Sequence, residues 1–384
     1  MSTSARAAMI SPAIADFLDT RSAPTPFVVI DLGVVTSRYD DLAAVLPGVE
    51  LCYAVKANPG EAVVDRLAQR GSSFDVASPG EIDLVLGLGV DPAQISYGNT
   101  IKKQRDIAYA AARGIRRYTV DSDIELEKVL AEVIDPIICV RLFHDCNGAD
   151  WPLSRKFGCG AADAARLVRR AADAGCEVGL SFHVGSQQRH LSAWDEPLQV
   201  CASAARAAGV TLDFVNLGGG FPGTYLDEMP PISAYGAAIM GAVDDAFPGG
   251  RPALLAEPGR YLVADAGVLH SEVVLVSRRD VDPRRWVYLD VGVFGGVAES
   301  LGESIRYRLR PTCAAPLSGD DDEVVLAGPT CDSADIMYDK TGYRMPVELA
   351  PGDTVDLISA GAYTTSYSAV GFNGFAPLGQ YHVG

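Results

Sequence analysis

Between residues 50 and 257, short β-branched runs alternate with longer stretches whose apolar residues recur every three or four positions. That pattern predicts strands interleaved with amphipathic helices. Eight runs have strand character: VELCYAVKA, SSFDVAS, QISYGN, RRYTVDS, PIICVRL, GLSFHVG, LDFVNLGGG and ALLAEPG. The stretches between them, such as GEAVVDRLAQRG and AADAARLVRRAADAG, read as helices, and Gly175 closes the second. Glycine suits that position because it enters the left-handed conformation that ends many helices. Eight strand–helix repeats predict an α/β fold with a parallel, TIM-like (β/α)8 barrel. A doubly wound open sheet is the competing arrangement, but no G-x-G-x-x-G opens the first strand–helix turn, as a dinucleotide fold requires.

Beyond Arg260 the rhythm changes. VLHSEVVLVSRR, RWVYLDVGVF, EVVLAGPTC and DTVDLISAGAY follow without long helices between them, which predicts a mostly antiparallel β domain. The early run TPFVVIDL can join that sheet, and LSGDDDE at residues 317–323 reads as an exposed turn. The boundaries are then a barrel over residues 34–266 and a β domain from residues 1–33 and 267–384.

Composition narrows the function. Of the residues, 21% are charged and 48% hydrophobic, as in a folded, enzyme-sized protein. The net charge of −17, from 49 acidic and 32 basic residues, argues against nucleic acid and anionic membranes as partners and suits a cationic small molecule. No apolar run reaches the roughly 18 residues a membrane span needs, and the N-terminus lacks the apolar core of a signal peptide. The eight cysteines are scattered without a CxxC pair and the five histidines show no HxH or HxxxH spacing. This predicts reduced thiols, a cytoplasmic location and no metal.

Barrels of this type carry their chemistry at the C-terminal ends of the strands. Those ends hold Lys56, Asp75, Arg141, His183 with Ser186, the triplet Gly218, Gly219 and Gly220, and the run Glu257, Pro258, Gly259 and Arg260. Each has an ordinary reading. Lys56 can be the first solvated residue of a loop, a barrel histidine is commonly structural, and a glycine triplet is commonly a turn. Their convergence on one rim favours chemistry. A glycine turn beside an arginine cradles phosphate, and a strand-end lysine can bond covalently to an aldehyde. A histidine can stack on a ring, and a carboxylate can hold a pyridinium proton. Together these describe pyridoxal 5′-phosphate, whose ring is an electron sink.

The segments YAVKANP, SSFDVAS, ISYGNTIKK, DWPLSRKFG, SFHVGSQQ, NLGGGFPG, EPGRYLVADAG, AGPTCDSADIMY and GAYTTSYSAVGFNGF span nearly the whole chain. On them it resembles the fold-type III pyridoxal-phosphate decarboxylases of the ornithine/lysine decarboxylase family, an alanine-racemase-like fold, and most of all the short bacterial ornithine decarboxylases. The resemblance implies that Lys56 anchors the cofactor, His183 stacks on its ring and Glu257 pairs with the ring nitrogen. It implies that Ser186, Gly218, Gly219, Gly220, Arg260 and Tyr363 hold the phosphate, with Pro258 and Gly259 among the cofactor-binding residues. Asp75 and Arg141 would line the barrel mouth. Cys331 would reach across a homodimer interface to protonate the α-carbon, and Asp332, Glu303 and Phe372 would bind the substrate.

The segment GGVAESLGESIRY matches less cleanly: Glu303 takes the place of the second acidic group, Glu299 is a substitute, and Gly302 stands where bacterial relatives more often have aspartate. Ordinary readings accompany these too. Cys331 can be a buried small hydrophobe, Glu303 a surface charge, and RKFG a packing element of its loop. The implied reaction is decarboxylation of a basic L-amino acid, L-ornithine to putrescine first, with L-lysine and diaminopimelate as alternatives. Glu257 in place of an arginine at the ring nitrogen argues against a racemase. A non-catalytic regulatory homologue is the reading from another class, and the presence of Lys56, His183, Glu257 and Cys331 counts against it.

Overall fold

A computed structural model of the chain describes residues 10–21, 23–151 and 156–384. Strand β1 (Phe27–Asp31) belongs to a sheet taken up below. The barrel strands are β2 (Val49–Ala54), β3 (Ser73–Val76), β4 (Ile95–Tyr97), β5 (Arg117–Val120), β6 (Ile137–Arg141), β8 (Glu177–Ser181), β10 (Phe214–Asn216) and β11 (Ala253–Ala256). Each pairs in parallel with its neighbours, and β11 returns to β2 through Leu254↔Val49, Leu255↔Glu50 and Ala256↔Leu51, so the sheet closes. These are the eight strands that the hydrophobic pattern predicts. Two short strands, β7 (Ala149–Trp151) and β9 (Ser186–Gln188), form an antiparallel ribbon that the pattern does not reveal.

Helices wrap the strands because one stripe of each is apolar. In the helix Ala161–Asp173 the residues Ala164, Leu167, Val168 and Ala171 are buried, while Arg166, Arg169 and Arg170 face acidic partners. Gly175 beyond it has φ +84°, the left-handed exit expected there. The helix Pro79–Gly87 starts at an N-cap: Ser78 Oγ accepts the Glu81 N–H at 3.3 Å, and Glu81 Oε2 accepts the Ala77 N–H at 2.7 Å. That exchange satisfies donors a helix start leaves open. Inside the barrel, Cys52, Cys139, Phe214 and Leu255 pack together. Side chains alternate across a strand with period two, so these four residues mark which positions of β2, β6, β10 and β11 point inward.

Two compact units result. The described residues of 36–222 and 229–261 form the barrel unit, and those through 35, with 223–228 and 262–384, form the other. Residues 223–228, inside the barrel span by sequence, pack with the β unit: Leu226 N–H donates to the Arg306 carbonyl at 2.9 Å and Thr224 N–H to Asp265 at 2.9 Å.

The β unit is built on β12 (Gly267–Arg279), β13 (Asp282–Leu289), β14 (Arg308–Thr312), β15 (Asp321–Ala327), β16 (Ile336–Tyr338), β17 (Arg344–Pro346), β18 (Thr354–Ile358) and β19 (Gly379–Val383). Their order is β14-β18-β12-β13-β15-β16, with β1 antiparallel to β12 as TPFVVIDL suggests. The pairs β13–β15 and β1–β19 are parallel, and the other pairs are antiparallel. The tract at 317–323 is only partly a turn, because Asp321, Asp322 and Glu323 pair with β17 at the start of β15. Its core joins Ile14 and Phe17 of the helix Pro12–Thr20 to Phe27, Val29, Val268 and Ile358.

Candidate active site

Counting by twos from Cys52, Cys139, Phe214 and Leu255 leads to Lys56, Arg141, Gly218 and Glu257. Of these, Arg141 ends β6 in its inward-facing phase, and Gly218 and Glu257 lie just past β10 and β11. Lys56 is not on its strand, however. β2 stops at Ala54, and Lys56 sits in the one-turn 3-10 helix Val55–Ala57 that follows. Its Nζ donates to Asp75 Oδ2 at 3.1 Å, with the lysine side chain 48% exposed and the aspartate 5%. The other oxygen, Asp75 Oδ1, is buried with no hydrogen-bond partner. Gly98, just past β4, leaves room for it, since a β-carbon there would lie 1.9 Å from Asp75 Oδ1.

Glu257 follows β11. Burial first, then the nearby Asp75 carboxylate, push its carboxyl up to about 7, against the lowering influence of Lys56, an Asn216 hydrogen bond and Arg141. Asn216 Nδ2 donates to Glu257 Oε1 at 2.5 Å, and Asn216 Oδ1 accepts the Gly218 N–H at 2.9 Å. His183 is held well below its ordinary 6.5 by burial and then by the positive charges of Arg141 and Lys56. Its Nδ1 faces the Gly185 N–H at 3.0 Å, the arrangement of a neutral ring with its proton on Nε2.

The glycine triplet makes a tight turn. Gly218 has φ +67° and Gly220 φ +105°, and a β-carbon at 219 would stand 2.7 Å from the Glu257 carbonyl oxygen. Ser186 Oγ accepts from Arg260 Nε at 3.1 Å and Nη2 at 3.0 Å, both residues being buried. Pro258 and Gly259 are buried between Glu257 and Arg260, and the Pro258 carbonyl accepts the Ala54 N–H at 3.0 Å. Gln188 ties this region together: its Nε2 donates to the Val184 and Asn147 carbonyls at 2.7 and 3.1 Å, and its N–H donates to Gly220 at 3.0 Å. Arg141 and Lys156 both lie over the Phe157 ring, at 5.4 and 4.9 Å from its centroid. Residues 152–155 of DWPLSRKFG, Arg155 of RKFG among them, lie outside the described residues.

A second group belongs to the β unit. Cys331 is exposed, and its N–H donates to Asn373 Oδ1 at 2.9 Å. Asp332 is also exposed and accepts the Ala334 N–H at 2.9 Å. Their loop is pinned by buried Asp335, whose oxygens accept the Val293 N–H at 2.8 Å, the Thr330 N–H at 3.1 Å and the Thr330 hydroxyl at 2.7 Å. Phe372 packs its ring 4.7 Å from that of Phe294 and stays 37% exposed. Tyr363 holds a left-handed φ of +55°, a strained state that in a bulky residue often marks function.

Glu303 does not present an open carboxylate. Its Oε1 accepts the Asp339 and Lys340 N–H groups at 2.8 and 2.7 Å, and its Oε2 the Thr341 hydroxyl at 2.5 Å. Burial raises that carboxyl, but these hydrogen bonds outweigh it and hold it below its ordinary range. Asn216, Gly98, Gln188 and Asp335 are the site residues that the sequence reading missed. The first two were open to it, because they share the inward phase of their strands.

A family model for the pyridoxal-binding domain of pyridoxal-dependent decarboxylases matches residues 32–264. The lysine/ornithine decarboxylase of Selenomonas ruminantium is 36% identical over 361 residues, covering 92% of this chain and 88% of that protein. The solved lysine/ornithine decarboxylase of Vibrio vulnificus, complexed with putrescine, is 31% identical with a TM-score of 0.84, covering 100% of this chain and 99% of that one. The arginine decarboxylase of Paramecium bursaria Chlorella virus, bound to agmatine, is 27% identical with a TM-score of 0.85, covering 96% and 98%.

The barrel-mouth residues fit pyridoxal 5′-phosphate. Lys56 supplies a reachable amine, and Asp75 Oδ1 a buried acceptor without a partner. The 218–220 turn is left-handed at both ends, and the Phe182, Glu257 and Gly185 carbonyl oxygens stand where β-carbons would be, so only glycine lets the turn close against its neighbours.

Proposed function

This chain belongs to the fold-type III, pyridoxal-dependent ornithine and lysine decarboxylases, and we propose that its own reaction is the conversion of L-ornithine to putrescine and carbon dioxide. The family decarboxylates basic amino acids with pyridoxal 5′-phosphate as cofactor. The observation that carries the reading of a substrate with a distal amine, ornithine and lysine alike, is the exposed pair Cys331 and Asp332 on a loop fixed from beneath by Asp335. It offers a proton donor and a carboxylate for a distal ammonium one residue apart.

When bound, the cofactor supplies an electron-withdrawing ring that takes the electron pair left as carbon dioxide departs. Lys56 tethers it, and its contact with Asp75 keeps the amine at the barrel mouth. The 218–220 turn, Ser186 and Arg260 hold its phosphate through backbone N–H groups and a guanidinium. His183, kept neutral by its surroundings, would pack against the ring without adding charge. Glu257 holds a proton at the ring nitrogen. Cys331 Sγ gives its proton to the α-carbon once the carboxylate has left, and solvent restores it. Asp332, with Phe372 on the same face, receives the distal ammonium. Because Glu303 is committed to the 339–341 turn, its part is to shape the wall behind that ammonium.

Two copies form the active unit, with Cys331 and Asp332 of one serving the barrel of the other. A cytoplasmic location agrees with the absence of any disulfide among the eight cysteines. Among the described residues no helix is long and apolar enough to cross a membrane. Lysine is the second reading, favoured by the lysine/ornithine decarboxylases among the relatives, since one methylene changes binding by only about 1–3 kcal/mol. Carbon dioxide release from ornithine, lysine, arginine and diaminopimelate decides the matter. Ornithine should show the highest kcat/KM; a higher value for lysine replaces the reading, and no release from any of the four removes it.

A further inference from the structure

Asn216 ends β10, is 3% exposed, and divides its amide between two parts of the barrel mouth. The nitrogen donates to Glu257 Oε1 at 2.5 Å, and the oxygen accepts the Gly218 N–H at 2.9 Å. The same two segments are joined a second time, because the Glu257 N–H donates to the Gly218 carbonyl at 2.8 Å. An amide can give from one end and accept at the other, whereas an ionised carboxylate only accepts and an alkyl group does neither.

We propose that Asn216 is a positioning residue that sets the Glu257 carboxylate and the 218–220 glycine turn in one register, so that a single side chain aligns the group facing the cofactor ring with the turn facing its phosphate. The proposal rests on the roles given above to Glu257 and to that turn.

The surroundings of Glu257 make the donor matter. Asp75 on β3 faces it with like charge, Lys56 and Arg141 with opposite charge, and the buried thiols of Cys52 and Cys139 lie beneath. His183 lies across the turn, near the place of a β-carbon at 219. Burial and Asp75 oppose ionisation of Glu257, and the Asn216 N–H favours it. A hydrogen bond to a charged acceptor is stronger than one between neutral groups. Losing it therefore moves the carboxyl upward.

The test is the affinity of the cofactor-free protein for pyridoxal 5′-phosphate, followed by intrinsic fluorescence across pH, for wild type, Asn216→Ala, Asn216→Asp and Glu257→Gln. In Asn216→Ala the acid limb of the affinity profile should move up by about one pH unit. Asn216→Asp keeps an acceptor for the Gly218 N–H and sets a second carboxyl against Glu257, so the limb, now that of the pair, should move up at least as far. As a near-isosteric change, it also serves if Asn216→Ala does not fold. The limb should vanish in Glu257→Gln. If it vanishes there but stays in place in the Asn216 variants, the proposal is overturned alone, because a purely structural role lowers affinity equally at every pH. If the limb persists in Glu257→Gln, it belongs to another group, and the role of Glu257 falls together with the proposal.

Discussion

The buried residues of the barrel mouth and the exposed 331–332 loop of the β unit are built on opposite plans. In the barrel, Asp75, Arg260 and Asn216 are buried and held by neighbours at strand ends, and burial displaces the acid–base behaviour of Glu257 and His183. In the β unit, Cys331, Asp332 and Phe372 are exposed, on a loop and a turn fixed from behind by Asp335, Asn373 and Phe294. Burial lets a protein preset the charge of a group at a cost in folding stability. The first plan suits a cofactor site, and the second suits the surface that the proposed dimer would cover.

The largest effects should separate the two groups. Lys56→Ala should lower kcat/KM for ornithine by about 10⁴-fold and loosen the cofactor. Cys331→Ala should lower it by about 10²-fold while the protein retains a full complement of pyridoxal 5′-phosphate. A Cys331→Ala protein that loses its cofactor would break the comparison. An intermediate effect concerns the second copy. Equal amounts of Lys56→Ala and Cys331→Ala subunits, exchanged at random, form mixed dimers in about half of cases, each with one intact site of two, so about a quarter of wild-type activity should return. Demonstrated exchange without recovery would place Cys331 in its own chain's site.

The smallest effect is on the stability of the cofactor-free protein. Glu257 rises from an ordinary 4.5 to about 7 on folding. Its contribution is therefore full below pH 4.5 and is lost as pH climbs through about 7. His183, depressed on folding, acts oppositely: its contribution is full above 6.5 and is lost as pH falls through the lower folded value. Glu257→Gln should remove the first dependence, raising Tm near pH 7.5 relative to pH 5 by a few degrees, at about 2–4 °C per kcal/mol for a unit of this size. A wild-type profile in that variant would show that Glu257 ionises freely in the folded barrel.

What the sequence made legible follows from periodicity. A period of two needs only local residues, and it leads from the strand interiors to Lys56, Asp75, Arg141, His183 and Glu257. Asn216 lies on the same count in LDFVNLGGG and was hidden only by the glycines beside it. Other features depend on pairings between distant segments, which hydropathy does not record. Ser186 lies in a ribbon because Trp151 pairs with it. Glu303 reads as a substrate group until the 339–341 turn is seen to cover its oxygens. Asp321, Asp322 and Glu323 look like a loop by composition and become a strand because β17 lies alongside.

The seam of the barrel bears on how the protein is made. β2 pairs with β11, and just beyond that junction the Ala54 N–H meets the Pro258 carbonyl at 3.0 Å, beside both Lys56 and Glu257. No other neighbours in the barrel are so far apart along the chain, and distant pairings form late because the intervening loop must close first. On a ribosome, the lysine emerges long before the strand that completes its surroundings. A nascent chain halted before residue 253 cannot form that junction, however much of the earlier sheet has folded. A chain cut short upstream of β11 would therefore expose an open sheet edge at β2 to its neighbours.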